Sequence, residues 1–392
     1  MKVLVYTTLF PNHCQPNSAI FIKKRMFHFA QLRDCEIKVV APIPYCPHWS
    51  IFGKKYQYSQ IKKYEIMDGV EVFHPRYPLI PKISMPLHAI SLYLFTRGLV
   101  KKIFRTFPFD LMDGHYIYPD GLAALLLSKR MNRPLILSAR GSDINQFTHF
   151  RSIKPMIRYT LNQADHSISV CNALKQEMVA LGIDRGKISV IPNGVDMDIF
   201  YPIDKKEAQK KLLINHTSKV IVSVGSLIPR KGFHVILEAL SRLIPGDSNI
   251  HLYIVGEGYY RSTLEKKIRD LHLDQQVTLV GEVANNELKF WYSLADVFCL
   301  ASSREGWANV IMESLACGTP VVATKVYGAP EIITSSNVGI LVENTPESVY
   351  DGLKAALKTP WNRELIHAHV KDRSWFKVAD EVKATFDMVL SS

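Results

Sequence analysis

The feature that most constrains the fold of this chain is a repeated alternation between short apolar runs and segments of helical periodicity. The apolar runs of the first half are Val3–Thr7, Ile37–Ala41, Val70–His74, Leu111–His115, Leu135–Ser138, His166–Val170 and Ile188–Ile191. After Asn193-Gly194 the alternation restarts, with runs at Val220–Val224, His251–Val255, Val277–Val280, Val297–Leu300, Pro320–Ala323 and Gly339–Val342. Repeated β-α units predict parallel sheets with helices on both faces.

The length of 392 residues suits two domains, and 47% hydrophobic with 21% charged residues excludes extended disorder. Residues 191–203 contain two prolines and an Asn-Gly turn, so we expect an inter-domain linker there. We therefore predict an α/β protein with two doubly wound domains, 1–190 and 204–372, facing across a cleft. A C-terminal helix within 373–392 is predicted to fold back across the first domain. Ligands of such sheets bind at the carboxyl ends of the strands.

The segment 302–324, SSREGWANVIMESLACGTPVVAT, carries the sharpest chemical signal. A strand, a polar loop and a helix over about 308–317 follow one another, and the first amides of such a helix favour an anion such as phosphate. These are the amides of Ala308, Asn309 and Val310. Glu305 precedes the helix and Glu313 lies within it, so both carboxylates could accept hydrogen bonds from sugar hydroxyls. An exposed helix residue and a helix-dipole partner remain the alternative interpretation of the two glutamates.

A second segment, 220–233, places the adjacent cations Arg230 and Lys231 at the predicted start of a helix over Lys231–Leu243. Cations are disfavoured at a helix N-terminus, so a local anion would explain them; an ordinary exposed basic pair is the alternative. The Gly256-Glu-Gly258 sequence is weak as a dinucleotide signal, because Arg261 stands where a third glycine is required. His115 ends a strand, where a substrate contact and a structural role are about equally favoured.

The net charge of +12 is concentrated in one half of the chain. Residues 1–190 hold 26 Lys and Arg against 12 Asp and Glu, a net charge of +14, whereas residues 191–392 hold 22 against 24. No nucleic-acid-binding motif accompanies this charge, so an anionic membrane or an anionic substrate is favoured over nucleic acid. No apolar stretch reaches the roughly 20 residues of a spanning helix. The absence of a signal-peptide pattern and the six scattered cysteines predict a cytoplasmic location. The basic first half predicts peripheral binding to the cytoplasmic face of the membrane. The candidate membrane contacts are Lys23, Lys24, Arg25, Lys54, Lys55, Lys62, Lys63, Arg97, Lys101, Lys102 and Arg105.

These segments together resemble the retaining glycosyltransferases of family 4, which have the two-domain GT-B fold. The match is carried by SREGWANVIMESLACGTPVVAT, VGSLIPRKG, IPNGVD and VGEG. The first-half segments FIKKR, GHYIYPDG and SARGSDIN resemble a subgroup close to the teichuronic-acid and exopolysaccharide biosynthesis glycosyltransferases. The resemblance implies a hexosyltransferase that moves a sugar from a nucleotide-diphosphate sugar to a glycan or lipid-linked acceptor in cell-envelope biosynthesis.

The resemblance also implies roles for particular residues. Glu305 would contact the donor sugar, Glu313 the nucleotide ribose and Lys231 the diphosphate, and His115 would lie near the reacting sugar as a catalytic residue with Glu305. The full implied donor-binding set is Gly225, Ser226, Arg230, Lys231, Gly256, Glu305, Gly306, Asn309, Val310 and Glu313. Many members carry an arginine where this chain has Ser226, and Arg230 could compensate for it.

No metal or other cofactor is expected, because fixed cations replace a metal in this family and the Asp196-Met-Asp198 sequence is better explained as a turn. Two other classes stay open. A nucleotide-sugar epimerase or sugar phosphorylase can use the same fold, and a sugar- or membrane-binding module would bind without turnover.

Overall fold

A computed structural model of the protein describes residues 1–46, 57–79, 85–214 and 218–391. The chain divides into two compact units, one formed by Met1–Asn193 with Trp375–Ser392 and the other by Gly194–Ser374. The candidate membrane contacts Lys54 and Lys55 lie outside the described residues.

The first unit is built on a mainly parallel sheet. Its strands are β1 (Lys2–Tyr6), β2 (Glu36–Val40), β3 (Ile43–Pro44), β4 (Tyr64–Met67), β5 (Val70–Phe73), β6 (Arg76–Tyr77), β7 (Leu111–His115), β8 (Leu135–Ala139), β9 (His166–Ser169) and β10 (Ile188–Val190). Its helices up to β10 are α1 (Ile20–Ala30), α2 (Gln57–Gln60), α3 (His88–Thr106), α4 (Leu122–Met131), α5 (Ser142–Asn145), α6 (Lys154–Gln163) and α7 (Asn172–Ala180). The strand order is β10-β9-β8-β7-β1-β2-β5-β4, and β3 pairs with β6 separately. Only β4 runs antiparallel to its neighbour among the described pairs of the large sheet.

The second unit alternates helices and strands, and two further helices follow its last strand. Its strands are β11 (Lys219–Val224), β12 (Ile250–Val255), β13 (Val277–Gly281), β14 (Val297–Leu300), β15 (Val321–Thr324) and β16 (Gly339–Val342). Its helices are α8 (Lys205–Leu212), α9 (Phe233–Leu243), α10 (Arg261–Asp270), α11 (Leu288–Leu294), α12 (Asn309–Ala316), α13 (Ala329–Ile332), α14 (Pro346–Ala356) and α15 (Arg363–Ala368). The parallel sheet has the order β13-β12-β11-β14-β15-β16, which is that of a dinucleotide-binding fold.

Successive residues of β11 belong to two different cores. Val220, Val222 and Val224 pack on one face of the sheet with residues of α11 and α12. Ile221 packs on the other face with residues of α9 and α14. Because both faces of the strand are covered, every position from 220 to 224 must be compact, which explains the β-branched run in the sequence. The prediction of two Rossmann-like α/β domains is confirmed.

Residues 194–203 belong to the second unit. Val195 and Phe200 are buried in its core, and the amide of Val195 donates to the carbonyl of Arg373 at 2.9 Å. The amide of Asp198 donates to Oδ1 of Asp196 at 3.2 Å, so this pair forms a turn. Of the predicted linker 191–203, only residues 191–193 lie in the first unit.

The C-terminal helix α16 (Trp375–Leu390) is part of the first unit, although most of the second unit separates it from β10 in sequence. Its buried residues Trp375, Val378, Val382 and Phe386 join the core that includes β1 and α1. The ring of Phe386 lies 5.3 Å from that of Phe29 in α1. The first unit is therefore completed only when both ends of the chain are present.

No helix in the described ranges has both the length and the apolar character needed to span a membrane.

Replacing Phe386 with alanine is expected to destabilise the first unit by about 3–5 kcal/mol, because a fully buried ring would leave a cavity against Phe29. Leu390→Ala, on the same helix and 40% exposed, should cost about 1 kcal/mol or less. Chemical denaturation followed by tryptophan fluorescence and circular dichroism measures both. Equal losses in the two variants would show that α16 contributes no specific packing.

Candidate donor site and the first-unit histidine

The candidate donor site of the second unit lies where the strand order reverses. β11 and β14 are neighbours in the sheet, while the chain departs from them toward opposite edges. The loops that follow the two strands therefore separate and leave a crevice at their carboxyl ends, the usual ligand position in such sheets. The β11 loop carries Gly225 to Lys231, and the β14 loop carries Ser302 to Ala308.

The two loops are fixed to each other through the backbone. Gly232 adopts a φ of +71°, and a methyl group at this position would lie 1.8 Å from the carbonyl oxygen of Ala301. The amide of Ser303 donates to the carbonyl of Arg230 at 2.9 Å. Only glycine permits this approach, and it ends the Pro229–Lys231 turn before α9 begins at Phe233. The prediction that the helix starts at Lys231 was therefore two residues early.

Glu305 is the centre of a polar cluster in this crevice. Its Oε1 accepts hydrogen bonds from Lys231 Nζ and from Ser302 Oγ, both at 2.7 Å. Its Oε2 lies 3.3 Å from an Nη atom of Arg230, which also donates to the carbonyl of Arg304 at 2.6 Å. Burial by itself would raise the pKa of Glu305, but Lys231 and Arg230 outweigh burial and lower it. Glu305 is therefore an ionised carboxylate that fixes the position of both cations.

Glu313, one turn into α12, has a different environment. Its Oε2 accepts a hydrogen bond of 2.8 Å from the hydroxyl of Tyr292. Burial raises the pKa of Glu313 to about 7, against the lowering effects of the Tyr292 hydrogen bond and of Lys231. Within one short segment, one glutamate is held ionised and the other is held near its titration midpoint at neutral pH.

The start of α12 offers two of the three amides that the sequence predicts. The amide of Asn309 already donates to the carbonyl of Trp307 at 3.1 Å. Those of Ala308 and Val310 meet no acceptor among the residues that the structure describes. An anion here would meet these amides together with the positive end of the helix dipole.

The remaining predicted donor-site residues lie in the loops that follow β11, β12 and β14. The aliphatic part of Lys231 passes over Gly225, where a methyl group would touch it at 3.4 Å. Gly256 allows its loop to reach the carbonyl of Gly225, since a methyl group there would lie 2.0 Å from that oxygen. Ser226 is exposed beside them. Gly306 accepts a backbone hydrogen bond of 3.2 Å from Gly328, which fixes the loop after Glu305.

His115 belongs to the first unit and is considered separately. It ends β7 and has no exposed surface. Its Nδ1 accepts from an Nη atom of Arg140 at 2.5 Å, and its Nε2 lies 3.0 Å from Oδ2 of the buried Asp113. Burial lowers the pKa of His115 to about 4, with Asp113 opposing and Arg140 and Arg25 reinforcing the shift. The ring is neutral, and it must give up one of these two contacts to touch a substrate. The catalytic role of His115 stays a prediction.

Sequence reasoning missed two hydrogen-bond donors of the site. Ser302 contacts Glu305 three residues away, a spacing that the sequence displays. Tyr292 reaches Glu313 across 21 positions from another helix, and no local pattern marks such a pair. In the described part of the chain, no group of three or more His, Cys, Asp or Glu residues is arranged to hold a metal ion.

Comparison with protein-family models identifies both halves of the chain. Residues 204–371 match the model described as glycosyl transferases group 1. Residues 31–199 match the glycosyltransferase family 4 model.

Curated relatives are also named as glycosyltransferases. A Bacillus subtilis protein named as a teichuronic acid biosynthesis glycosyltransferase, TuaC, is 27% identical over 341 residues, covering 85% of this chain and 83% of that protein. A D-inositol 3-phosphate glycosyltransferase of Streptosporangium roseum is 31% identical over 302 residues, covering 71% of this chain and 68% of the relative.

Solved structures show the same fold at low sequence identity. Sucrose-phosphate synthase of Thermosynechococcus elongatus superposes with a TM-score of 0.83 and 17% identity over 100% of this chain and 99% of that one. Anabaena HepE, solved in complex with UDP-glucose, gives 0.72 and 18% over 99% of this chain and 100% of that one. The motif-bearing crevice, the two family models and these relatives lead to one conclusion: the chain belongs to glycosyltransferase family 4 and is a glycosyltransferase.

Proposed function

We propose that this protein is a retaining, metal-independent hexosyltransferase that moves a sugar from a nucleotide-diphosphate sugar to a polysaccharide or lipid-linked acceptor in cell-surface glycan biosynthesis. The observation that carries the proposal is the cluster of Glu305, Lys231 and Arg230 at the reversal point of the second sheet. The similarity to HepE, which was solved with UDP-glucose, supports a nucleotide sugar as the donor. The similarity to TuaC supports a cell-surface glycan as the product.

The proposed chemistry is electrostatic. As the glycosidic bond breaks, the departing nucleoside diphosphate gains negative charge. Lys231, Arg230 and the amides at the start of α12 are fixed in place before that charge appears, so they stabilise it without reorganising. Glu305 would accept hydrogen bonds from the donor sugar, and Glu313 from the ribose.

Retention is proposed to follow from attack on the same face of the sugar from which the diphosphate leaves. A phosphate oxygen of the donor would take the proton of the acceptor hydroxyl as the new glycosidic bond forms. This proposal rests on membership of the family. His115 is proposed to act near the reacting sugar as a neutral imidazole, the state that burial and the charge of Arg140 favour against the opposing effect of Asp113.

Incubation of the protein with UDP- and GDP-sugars, a glycan acceptor and excess EDTA tests the function directly. We expect transfer with retained anomeric configuration at full rate in chelator, because Lys231 and Arg230 supply the charge that a metal would otherwise supply. Loss of activity that Mg²⁺ or Mn²⁺ restores would contradict metal independence. Release of a sugar phosphate only with added phosphate would identify a phosphorylase. Conversion of the nucleotide sugar without an acceptor would identify an epimerase.

Lys231→Ala is expected to weaken nucleoside-diphosphate binding by about tenfold or more, since it removes a charge-assisted hydrogen bond. Lys266→Ala is the matched control, because Lys266 is an exposed lysine of the same unit. Calorimetric titration with UDP and GDP measures both. Wild-type affinity and turnover in Lys231→Ala would remove this residue from the donor site.

Glu305→Gln and Glu313→Gln are expected to separate two parts of donor recognition. Glu305→Gln should abolish most sugar transfer yet leave nucleoside-diphosphate affinity within about threefold, because Lys231 and Arg230 lose a competing partner but keep their charge. Glu313→Gln should weaken the nucleoside diphosphate itself. Parallel turnover and binding titrations decide; equal losses of nucleotide affinity in both variants would contradict the division.

The acceptor is proposed to lie at an anionic membrane face, and helix α3 supports this proposal. Its residues Ala89, Leu92, Thr96, Val100 and Ile103 face the core. The outward face is apolar in its first half, with Leu87, Ile90, Leu94 and Phe95 exposed by 42–64%. Its second half is basic, with Arg97, Lys101, Lys102 and Arg105 exposed. Apolar side chains that enter the interface, followed by cations at the headgroups, are typical of membrane-surface helices.

The other predicted membrane contacts differ in accessibility. Lys62 and Lys63 are exposed, and Lys23 pairs with Asp68 at 2.8 Å. Arg25 is fully buried and donates to Ser138 Oγ at 3.2 Å, so its assignment as a membrane contact was wrong. Arg25 is adjacent to Lys23 and Lys24 in sequence, but it lies on the face of α1 that packs into the core.

The protein is expected to co-sediment with anionic but not neutral liposomes and to be released by salt, because the attraction is screened over about 8 Å at physiological ionic strength. Lys101→Glu with Lys102→Glu should weaken this binding by at least about tenfold, given about 1 kcal/mol per cation. The same exchange at the exposed Lys206 and Lys210 of α8 is the control. Equal recovery of the protein in the supernatant with both lipids would contradict membrane binding and favour a soluble acceptor.

A further inference from the structure

The hydroxyl of Tyr292 donates a hydrogen bond to one of the two carboxylate oxygens of Glu313. Tyr292 lies on α11 and has no exposed surface. Its hydroxyl donates to Oε2 of Glu313 at 2.8 Å. In the described part of the chain, Oε1 of Glu313 makes no hydrogen bond, and the residue is half-buried. One carboxylate oxygen is thus held by the protein and the other is available.

The position of the Tyr292 hydroxyl is set by the core rather than by Glu313. The ring packs edge-on against Phe200 and Phe298, with centroids at 6.0 and 5.5 Å. Its backbone carbonyl accepts a hydrogen bond of 2.6 Å from Thr319 Oγ1. A tyrosine side chain has only two rotatable torsions, so a ring held at this many points presents its hydroxyl at one place. The orientation of the Glu313 carboxylate is therefore set by the position of the Tyr292 hydroxyl.

Few ionisable groups surround Glu313. Lys231 acts on it from the β11 loop, and the buried thiol of Cys317 lies at the end of its own helix, where burial raises the thiol pKa. From α15, Arg363 bonds the carbonyl of Gly318 and His367 bonds that of Ala316, both at the far end of α12. The nearest fixed determinants of the Glu313 carboxylate are therefore Tyr292 and Lys231.

We propose that Tyr292 is a positioning residue for donor binding: it fixes the Glu313 carboxylate through Oε2 and thereby leaves Oε1 oriented to accept a hydroxyl of the bound nucleotide. This inference rests on the proposed function of Glu313 and adds the residue through which that function is set. Tyr292 does not itself contact the donor.

The proposal has a consequence for pH. A hydroxyl bonds more strongly to an ionised carboxylate than to a neutral carboxyl group, so nucleotide binding favours the ionised form of Glu313. With a pKa of about 7 in the free protein, affinity falls as the pH drops through 7 and is constant above it. The Tyr292 hydrogen bond lowers the pKa of Glu313. Its removal should therefore move the fall in affinity to higher pH.

The first experiment measures UDP and GDP affinity from pH 5.5 to 8.5 in the wild type, Tyr292→Phe, Glu313→Gln and the double variant. Glu313→Gln supplies the baseline, because the terminal phosphate of the nucleotide itself titrates near pH 6. After subtraction of that baseline, we expect a midpoint near 7 in the wild type and a higher midpoint in Tyr292→Phe, with about a fivefold loss of affinity at neutral pH. In the Glu313→Gln background, Tyr292→Phe should shift no pH midpoint, because no carboxylate remains to titrate there.

A second measurement needs no ligand. Glutamate labelled with ¹³C at the side-chain carboxyl gives one resonance per glutamate, and the one absent in Glu313→Gln belongs to Glu313. Its titration midpoint should rise in Tyr292→Phe and stay fixed in Tyr253→Phe, which removes a hydroxyl from another buried tyrosine of the same unit.

The two experiments separate the possible failures. If the resonance shifts but neither nucleotide binds the wild type, the proposed function fails while the Tyr292–Glu313 contact stands, and the inference about donor binding is overturned with it. If nucleotides bind but Tyr292→Phe lowers affinity equally at every pH and leaves the Glu313 midpoint unchanged, Tyr292 is structural and only the inference is overturned.

Discussion

The constraint on which the site depends is the adjacency of β11 and β14 within a sheet buried on both faces. After β11 the chain continues toward one edge of the sheet, and after β14 it continues toward the other. The loops that follow the two strands are therefore close together where they leave the sheet and separate beyond that point. Gly232 then brings one loop against the carbonyl of Ala301 in the other. This contact carries Lys231 and Glu305, 74 residues apart in sequence, to within 2.7 Å of each other. Without the backbone approach, the two charges would belong to separate loops and could not be fixed.

Burial acts on the two glutamates of this segment in the same direction, and their partners decide the outcome. Removing a carboxylate from water raises its pKa in both cases. Two cations and a hydroxyl surround Glu305 and reverse the effect, whereas Glu313 has one neutral hydroxyl and a cation that contacts the other glutamate. A neutral donor stabilises a buried anion much less than an ion pair does. Glu305, whose pKa is lowered, and Glu313, whose pKa is raised to about 7, therefore stand only eight positions apart in sequence.

The sequence predicts those parts of the molecule that depend on local pattern. Each predicted strand appears within one or two residues, since a strand covered on both faces is mostly apolar along its length. The antiparallel edge strand β4 was not predicted, because only one neighbour covers it and its sequence, YEIM, alternates between exposed and half-buried positions. The candidate site residues were found as motifs, but the contacts among them and with residues outside the motifs were not. Tyr292 reaches Glu313 through the core, and the burial of His115 between Asp113 and Arg140 depends on two neighbouring strands.

The pairing of Glu305 with Lys231 also explains how a donor site can stay ordered before the donor arrives. Two neighbouring cations repel each other, and long side chains without a partner would sample many rotamers. The buried carboxylate holds both at one place and leaves the cluster of Lys231, Arg230 and Glu305 with a single net positive charge. In the proposed donor complex, a diphosphate would approach the cations from the side of the α12 amides, while the sugar hydroxyls would approach Glu305. Where Lys231 or Arg230 would give up part of its contact with Glu305, a charge-assisted hydrogen bond to the phosphate would replace it. On the proposed assignment, donor binding would exchange partners among groups that are already fixed, so little of the binding energy would be lost in ordering the site.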